Sequence, residues 1–125
     1  MTQIISRNII REILGRWAQG ALSAKDVHVW AEHHYQNDAF DFEDWEGEEE
    51  NSVSNEVLAH LDMLDMNLLV PEDIPSYLAF LSTPRGSFDE GFSKLERYLG
   101  TVDIEARRVQ LKGTSPYQPF CVKRR

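Results

Sequence analysis

Residues 3–26 read QIISRNIIREILGRWAQGALSAKD, and two helices joined by a short turn are legible in them. Ile5, Ile9, Ile10, Ile13, Leu14 and Trp17 recur every three or four positions. That spacing places them on one apolar stripe of a helix over 3–19, with Arg7, Arg11 and Arg16 outside it. Gly20 supplies the stop, because glycine enters the left-handed conformation without a Cβ penalty. Gly15, inside the helix, costs about 1 kcal/mol relative to alanine, which predicts a close helix contact at that point. Ser23 followed three residues later by Asp26 is nearly a capping box and opens a second helix over 24–36. Its inward face is Val27, Trp30, Ala31, His34 and Tyr35.

Working toward the C-terminus, Val57, Leu58, Leu61, Leu64 and Leu68 align a third helix over about 52–66. Pro71 and Pro75 bracket a tight turn at 71–74 and begin a fourth helix near 75–82, since proline is tolerated in a first helical turn. Ser87 is placed to cap a fifth helix, with Asp89 and Glu90 opposing its dipole and Gly100 ending it. Residues 101–112 fit either a helix or a strand, and the Glu-Ala-Arg-Arg centre favours helix. From Gly113 onward two prolines and a basic end, Lys123, Arg124 and Arg125, suggest an irregular tail. The expected fold class is all-α: a single-domain bundle of four to six amphipathic helices over 1–125, with an acidic loop after the second helix and no hairpin.

The acidic loop is the chain's most unusual stretch. Asp38–Glu50 holds eight carboxylates in thirteen residues, with Phe40, Phe42 and Trp45 threaded between them. From Asp26 to Pro84 there is no Lys or Arg against fifteen Asp and Glu, within a chain of net charge −8. Like charges so arranged repel one another, and they suit a surface that meets a basic partner. Exposed aromatics ringed by charge also resemble interface hot spots. The candidate partner-binding residues are therefore Asp38, Asp41, Glu43, Asp44, Trp45, Glu46, Glu48, Glu49 and Glu50. Phe40, Phe42 and Trp45 are expected to dock on the core while the carboxylates point outward, and Gly47 with Glu48–Glu50 to form an exposed turn. Carboxylates along a surface imitate the phosphates of nucleic acid, so the same residues would steer a basic protein and occupy its substrate groove.

Composition narrows the alternatives. Hydrophobic residues make up 42% of the 125-residue chain, enough for a packed interior. The lone Cys121 has no internal partner and fits a reducing compartment. No signal-peptide pattern and no run of about 18 uncharged apolar residues occur, so a cytoplasmic protein without a membrane segment is expected. The net charge disfavours direct contact with nucleic acid or an anionic membrane.

Catalysis finds no signature. His28, His33, His34 and His60 do not make a His-Glu-x-x-His pattern or a paired Glu-x-x-His pattern, so ordinary surface and half-buried histidines are expected rather than metal ligands. Cys121 has basic neighbours but no positioned base. Nucleophile elbows, phosphate loops and dinucleotide fingerprints are missing. The expectation is a non-enzyme without a metal or cofactor.

Two stretches carry a family resemblance. Trp17-Ala-Gln-Gly20-Ala-Leu-Ser23-Ala-Lys-Asp26-Val, followed by a helix ending in aromatics, resembles the opening of colicin-D-type immunity proteins and related bacterial self-protection proteins. Val57-Leu58-Ala-His-Leu61-Asp62 is similar to that family's next helix. The resemblance spans roughly residues 10–66. It implies a small helical protein that binds a cognate nuclease toxin and blocks its active site, with acidic residues meeting the toxin's basic RNA-binding cleft. The rival expectation is an intracellular adaptor or regulatory helical domain whose acidic loop only confers solubility.

Overall fold

Ser6, not the stripe around it, decides where the first helix begins. In the computed structural model, which describes residues 2–35 and 37–121, the Ser6 side chain accepts a hydrogen bond from the Ile9 amide at 3.1 Å. That cap starts helix α1 at Arg7–Ala18 and leaves Gln3–Ile5 extended as strand β1. The expected start of the helix at residue 3 is thereby corrected. Ile5 still reaches the core, but from a strand, while Ile9 is exposed. Helix α2 follows at Ala24–His34, opened by a full capping box between Ser23 and Asp26. Gly20 turns the chain between them with φ +80°.

The acidic stretch is not wholly a loop. Phe40–Phe42 forms strand β2, paired in parallel with β1 in the register Gln3↔Phe40, Ile4↔Asp41, Ile5↔Phe42. Parallel strands need a long crossover, and α1 with α2 supplies it. The remaining elements are α3 at Val53–Asp62, a 3-10 turn at Pro71–Asp73, α4 at Ile74–Leu81, α5 at Phe88–Leu99, α6 at Ile104–Leu111 and a 3-10 turn at Gln118–Phe120. The fold is mostly helical with one small parallel strand pair. Residues 104–111 take the helical alternative. Helix α3 stops four residues earlier than expected. The chain then turns through 63–67 to Leu68, which is buried with φ +54°. The basic end Lys123–Arg125 lies outside the described residues.

Helix α2 packs on α3, α4 on α5, and α1 against α4. Ile10, Leu14 and Trp17 of α1 join Val27 and Ala31 of α2, Val57, Leu58 and Leu61 of α3, and Tyr77 and Leu81 of α4 in one buried cluster. Trp30 is only half-buried against it. The close contact expected at Gly15 is not there: a methyl group at that position would meet no heavy atom within 4 Å. The tight approach occurs at Gly91 instead, where a Cβ would sit 2.2 Å from Thr83 Oγ1. This glycine lets α5 close on the end of α4.

An ion pair ties α6 to the turn before α4. Arg107 of α6 forms a double hydrogen bond with Asp73, Nη1 to Oδ2 at 2.7 Å and Nη2 to Oδ1 at 2.8 Å. Tyr98 Oη donates to the same carboxylate at 2.6 Å. Helix α6 has no fully buried residue of its own; it is held by this pair and by Leu111, which packs partly buried against the core. The hydrogen bond from Arg107 to Asp73, aided by the Asp73 charge, raises the guanidinium's already high pKa.

Candidate acidic interface

Asp44 is the residue on which the acidic stretch turns. Its carboxylate is buried. Oδ2 accepts from Arg7 Nε at 2.8 Å and from the Ser54 amide and hydroxyl at 3.0 and 3.1 Å. Oδ1 accepts from the Ser52 hydroxyl. Burial pushes the Asp44 carboxyl up, but the hydrogen bonds from Ser52, Arg7 and Ser54 outweigh it and hold the group below the usual carboxylate range. Ser52 also caps α3 by accepting from the Asn55 amide at 3.0 Å. The same carboxylate thus positions the start of α3. Arg7 extends the network, donating from Nη1 to the carbonyls of Leu81 at 3.0 Å and Thr83 at 2.5 Å, both at the end of α4.

Two further acids reach back to helix ends, Glu43 from an exposed position and Glu46 from a half-buried one. Glu43 accepts from the Arg7 amide at 3.0 Å, at the first residue of α1. Glu46 accepts from the Phe88 amide at 3.1 Å, at the first residue of α5. Both carboxylates lie where a helix leaves its amides unpaired and its dipole is positive. Glu46 thereby takes the capping role expected of Ser87, whose side chain makes no cap hydrogen bond. Arg85 closes this side, donating to the Trp45 carbonyl at 2.9 Å and the Glu43 carbonyl at 3.4 Å, with Nε 4.0 Å from Glu46 Oε2. Of the nine expected partner-binding residues, Asp44 is therefore enclosed, and Glu43 and Glu46 commit a carboxylate oxygen to a helix end. The expectation that crowded acids all face solvent fails because Arg85, the residue after the base-free window, and Arg7, from the start of α1, reach onto it.

The others face outward. Asp38, Asp41, Glu48, Glu49 and Glu50 are exposed. Among the described residues none of them has a basic side chain within 4.0 Å. Glu46 and Asn51 close the exposed turn with reciprocal backbone bonds of 2.7 and 2.9 Å, and Gly47 supplies its positive φ of +74°. Trp45 is 39% exposed yet fixed. Its indole Nε1 donates to Asp41 Oδ1 at 2.8 Å, and its ring meets Phe42 edge to face at 5.9 Å. The bonds from Trp45 and the Phe42 amide hold the Asp41 carboxyl below its usual range. Phe40 and Phe42 pack on the core as expected, with Phe40 also 4.3 Å from the His34 ring, whereas Trp45, expected to dock beside them, stays at the surface with its indole held by Asp41.

The histidines are occupied in the framework. His28 Nε2 bonds the Asp62 carbonyl at 2.9 Å and lies near Glu32 and Asp65, bracing α2 to the end of α3. His60 pairs with Tyr77 Oη at 2.8 Å. Among the described residues, no group of three or more His, Cys, Asp or Glu is placed to hold a metal ion. No described helix is long and apolar enough to cross a membrane. Cys121 is buried. No protein family, curated protein or solved structure matches the chain.

Proposed function

We propose that this chain is an acidic inhibitor of a basic protein, and that its target is a cognate bacterial nuclease toxin. The chain would then act as a cytoplasmic immunity protein rather than an enzyme. The observation that carries this reading is the outward half of the acidic stretch. Among the described residues, Asp38, Asp41 and Glu48–Glu50 stand without counter-charges, and Asp38 and Asp41 line a groove with a half-exposed Trp45 whose indole is already fixed. Unneutralised carboxylates speed encounter with a basic cleft, and a pre-ordered aromatic supplies the anchor that slows departure. Holding that aromatic in place beforehand lowers the entropy cost of docking. The resemblance of residues 10–66 to colicin-D-type immunity proteins points the same way.

Co-expression tests it. A nuclease toxin encoded beside this chain should arrest growth alone and be relieved by the wild-type chain. Relief should be lost or weakened when Trp45→Ala is combined with Glu48→Gln, Glu49→Gln and Glu50→Gln. Relief by that variant at wild-type dose would leave the stretch as a solubilising turn on an adaptor or regulatory domain.

A further inference from the structure

Beside Trp45 the surface dips into a groove of about 550 Å³. Its aromatic lining comes from His34, Tyr35, Phe40, Phe42 and Trp45, which span the end of α2, strand β2 and the turn after it. Asp38 and Asp41 stand in the same lining, and among the described residues no Lys or Arg does. We infer that this groove receives an arginine side chain of the basic partner, its guanidinium laid against the aromatic rings and paired with the two carboxylates. The inference deepens the proposed function and rests on it for the identity of the partner.

Three observations select this occupant. The first is charge: among the described residues the lining holds two carboxylates and no fixed cation, so a neutral or anionic occupant would leave them uncompensated while taking them out of water. The second is the rings. Aromatic faces attract cations, and a planar, weakly hydrated guanidinium stacks on them while still reaching a carboxylate with two parallel donors. A lysine ammonium is a compact, strongly hydrated charge without the flat face. The third is pre-organisation. Among the described residues, Asp41 takes its internal hydrogen bonds, from the Phe42 amide and the Trp45 indole, on Oδ1 alone. The bond that fixes the indole thus leaves the other carboxylate oxygen to meet an incoming donor. His34 bonds the Trp30 carbonyl through Nδ1 at 2.7 Å. A carbonyl can only accept, so the proton sits on Nδ1 and the ring is held against Phe40.

The test uses the full-length chain, labelled with nitrogen-15, and three small probes: N-acetyl-arginine amide, N-acetyl-lysine amide and N-acetyl-citrulline amide. The readout is the indole N–H resonance of Trp45. The arginine probe should shift it saturably, the lysine probe should bind at least about fivefold more weakly, and the uncharged citrulline probe should have no effect at the same concentrations. Asp41→Asn, which keeps an acceptor for the indole but removes the charge, should weaken the arginine probe at least about fivefold while the rest of the spectrum stays folded. An unmoved Trp45 indole, or equal shifts from arginine and citrulline, would overturn the inference. The result separates from the toxin experiment. A groove that takes arginine beside a failed rescue removes only the nuclease partner, and rescue by a chain indifferent to arginine removes only the groove.

Discussion

Asp44 and Glu48 are four residues apart and carry the same charge, but they belong to different parts of the molecule. Asp44 is enclosed by Arg7, Ser52 and Ser54 and joins α1, the start of α3 and the end of α4. Glu48 stands on an open turn with Glu49 and Glu50 and, among the described residues, pairs with no cation. The boundary follows the geometry of the chain. Strand β2 points its acid, Asp41, outward between two inward phenylalanines. The next residues lie under Arg7 and Arg85, and the turn at Gly47 then returns the chain to solvent. A run of one charge can therefore hold a fold together along one part and face a partner along another.

The largest effect should come from breaking the inward half. Arg7→Met leaves the Asp44 carboxylate buried without its cation and the Thr83 carbonyl without its side-chain donor, while the Leu81 carbonyl keeps Arg11. A loss of about 3–5 kcal/mol is expected, read from urea unfolding. Adding Asp44→Asn should return part of that loss, because the unpaired charge is then gone. Next is the anchor at the edge of the outward half. Trp45→Ala should raise the dissociation rate from a cognate partner about 30-fold, equivalent to about 2 kcal/mol, with a much smaller change in association. Surface plasmon resonance with equal dissociation rates for the two proteins would show that Trp45 does not anchor.

Acidification should sharpen the division. The Asp44 carboxyl is lower in the folded chain than in the unfolded one, so its contribution is fully present above the unfolded carboxylate range near pH 4. It is lost as pH falls through the folded value. Unfolding midpoints measured from pH 7 to pH 2 should drop in the wild type, with a shallower slope in Asp44→Asn. Parallel slopes would mean that other carboxylates dominate acid unfolding. The smallest effect belongs to the turn. Glu48→Gln, Glu49→Gln and Glu50→Gln together should slow association with a basic partner a few-fold at low salt. The difference should close toward about 1 M salt, where the screening length is about 3 Å. A salt-independent difference in stopped-flow traces would point to contact rather than steering.

The helices were legible because their signals are local. The stripe of Ile10, Leu14 and Trp17, the Ser23–Asp26 box and Pro71 before the fourth helix each declare an element within a few residues. Three features were not legible, and all are long-range. Strand β2 pairs with residues 37 positions earlier in the chain, and no turn motif announces a parallel partner. Glu46 replaces Ser87 as the cap of α5 from 42 residues away. Arg7 reaches Asp44 across 37 residues. The base-free window from Asp26 to Pro84 was read along the chain, whereas its flanking cations act across space. One signal could have marked Asp44 in advance: the serines Ser52 and Ser54 at the start of the next helix offer the donors that a buried carboxylate requires. The exposed turn, by contrast, was legible from Gly47 and the charge run alone, whereas Trp45, expected on the core, lies at the surface, held by Asp41.

The most direct test of the division sets its two halves side by side. Urea unfolding at pH 7 is measured for the wild-type chain, for Asp44→Asn, and for the triple variant Glu48→Gln, Glu49→Gln, Glu50→Gln. Asp44→Asn should lose about 2–4 kcal/mol, since an amide cannot satisfy Arg7 and the two serines as the carboxylate does. The triple variant should stay within about 0.5 kcal/mol of wild type or gain slightly, because it removes repulsion and no internal contact. A triple variant destabilised as much as Asp44→Asn, or an Asp44→Asn chain as stable as wild type, would contradict the division of the stretch into an inward brace and an outward face.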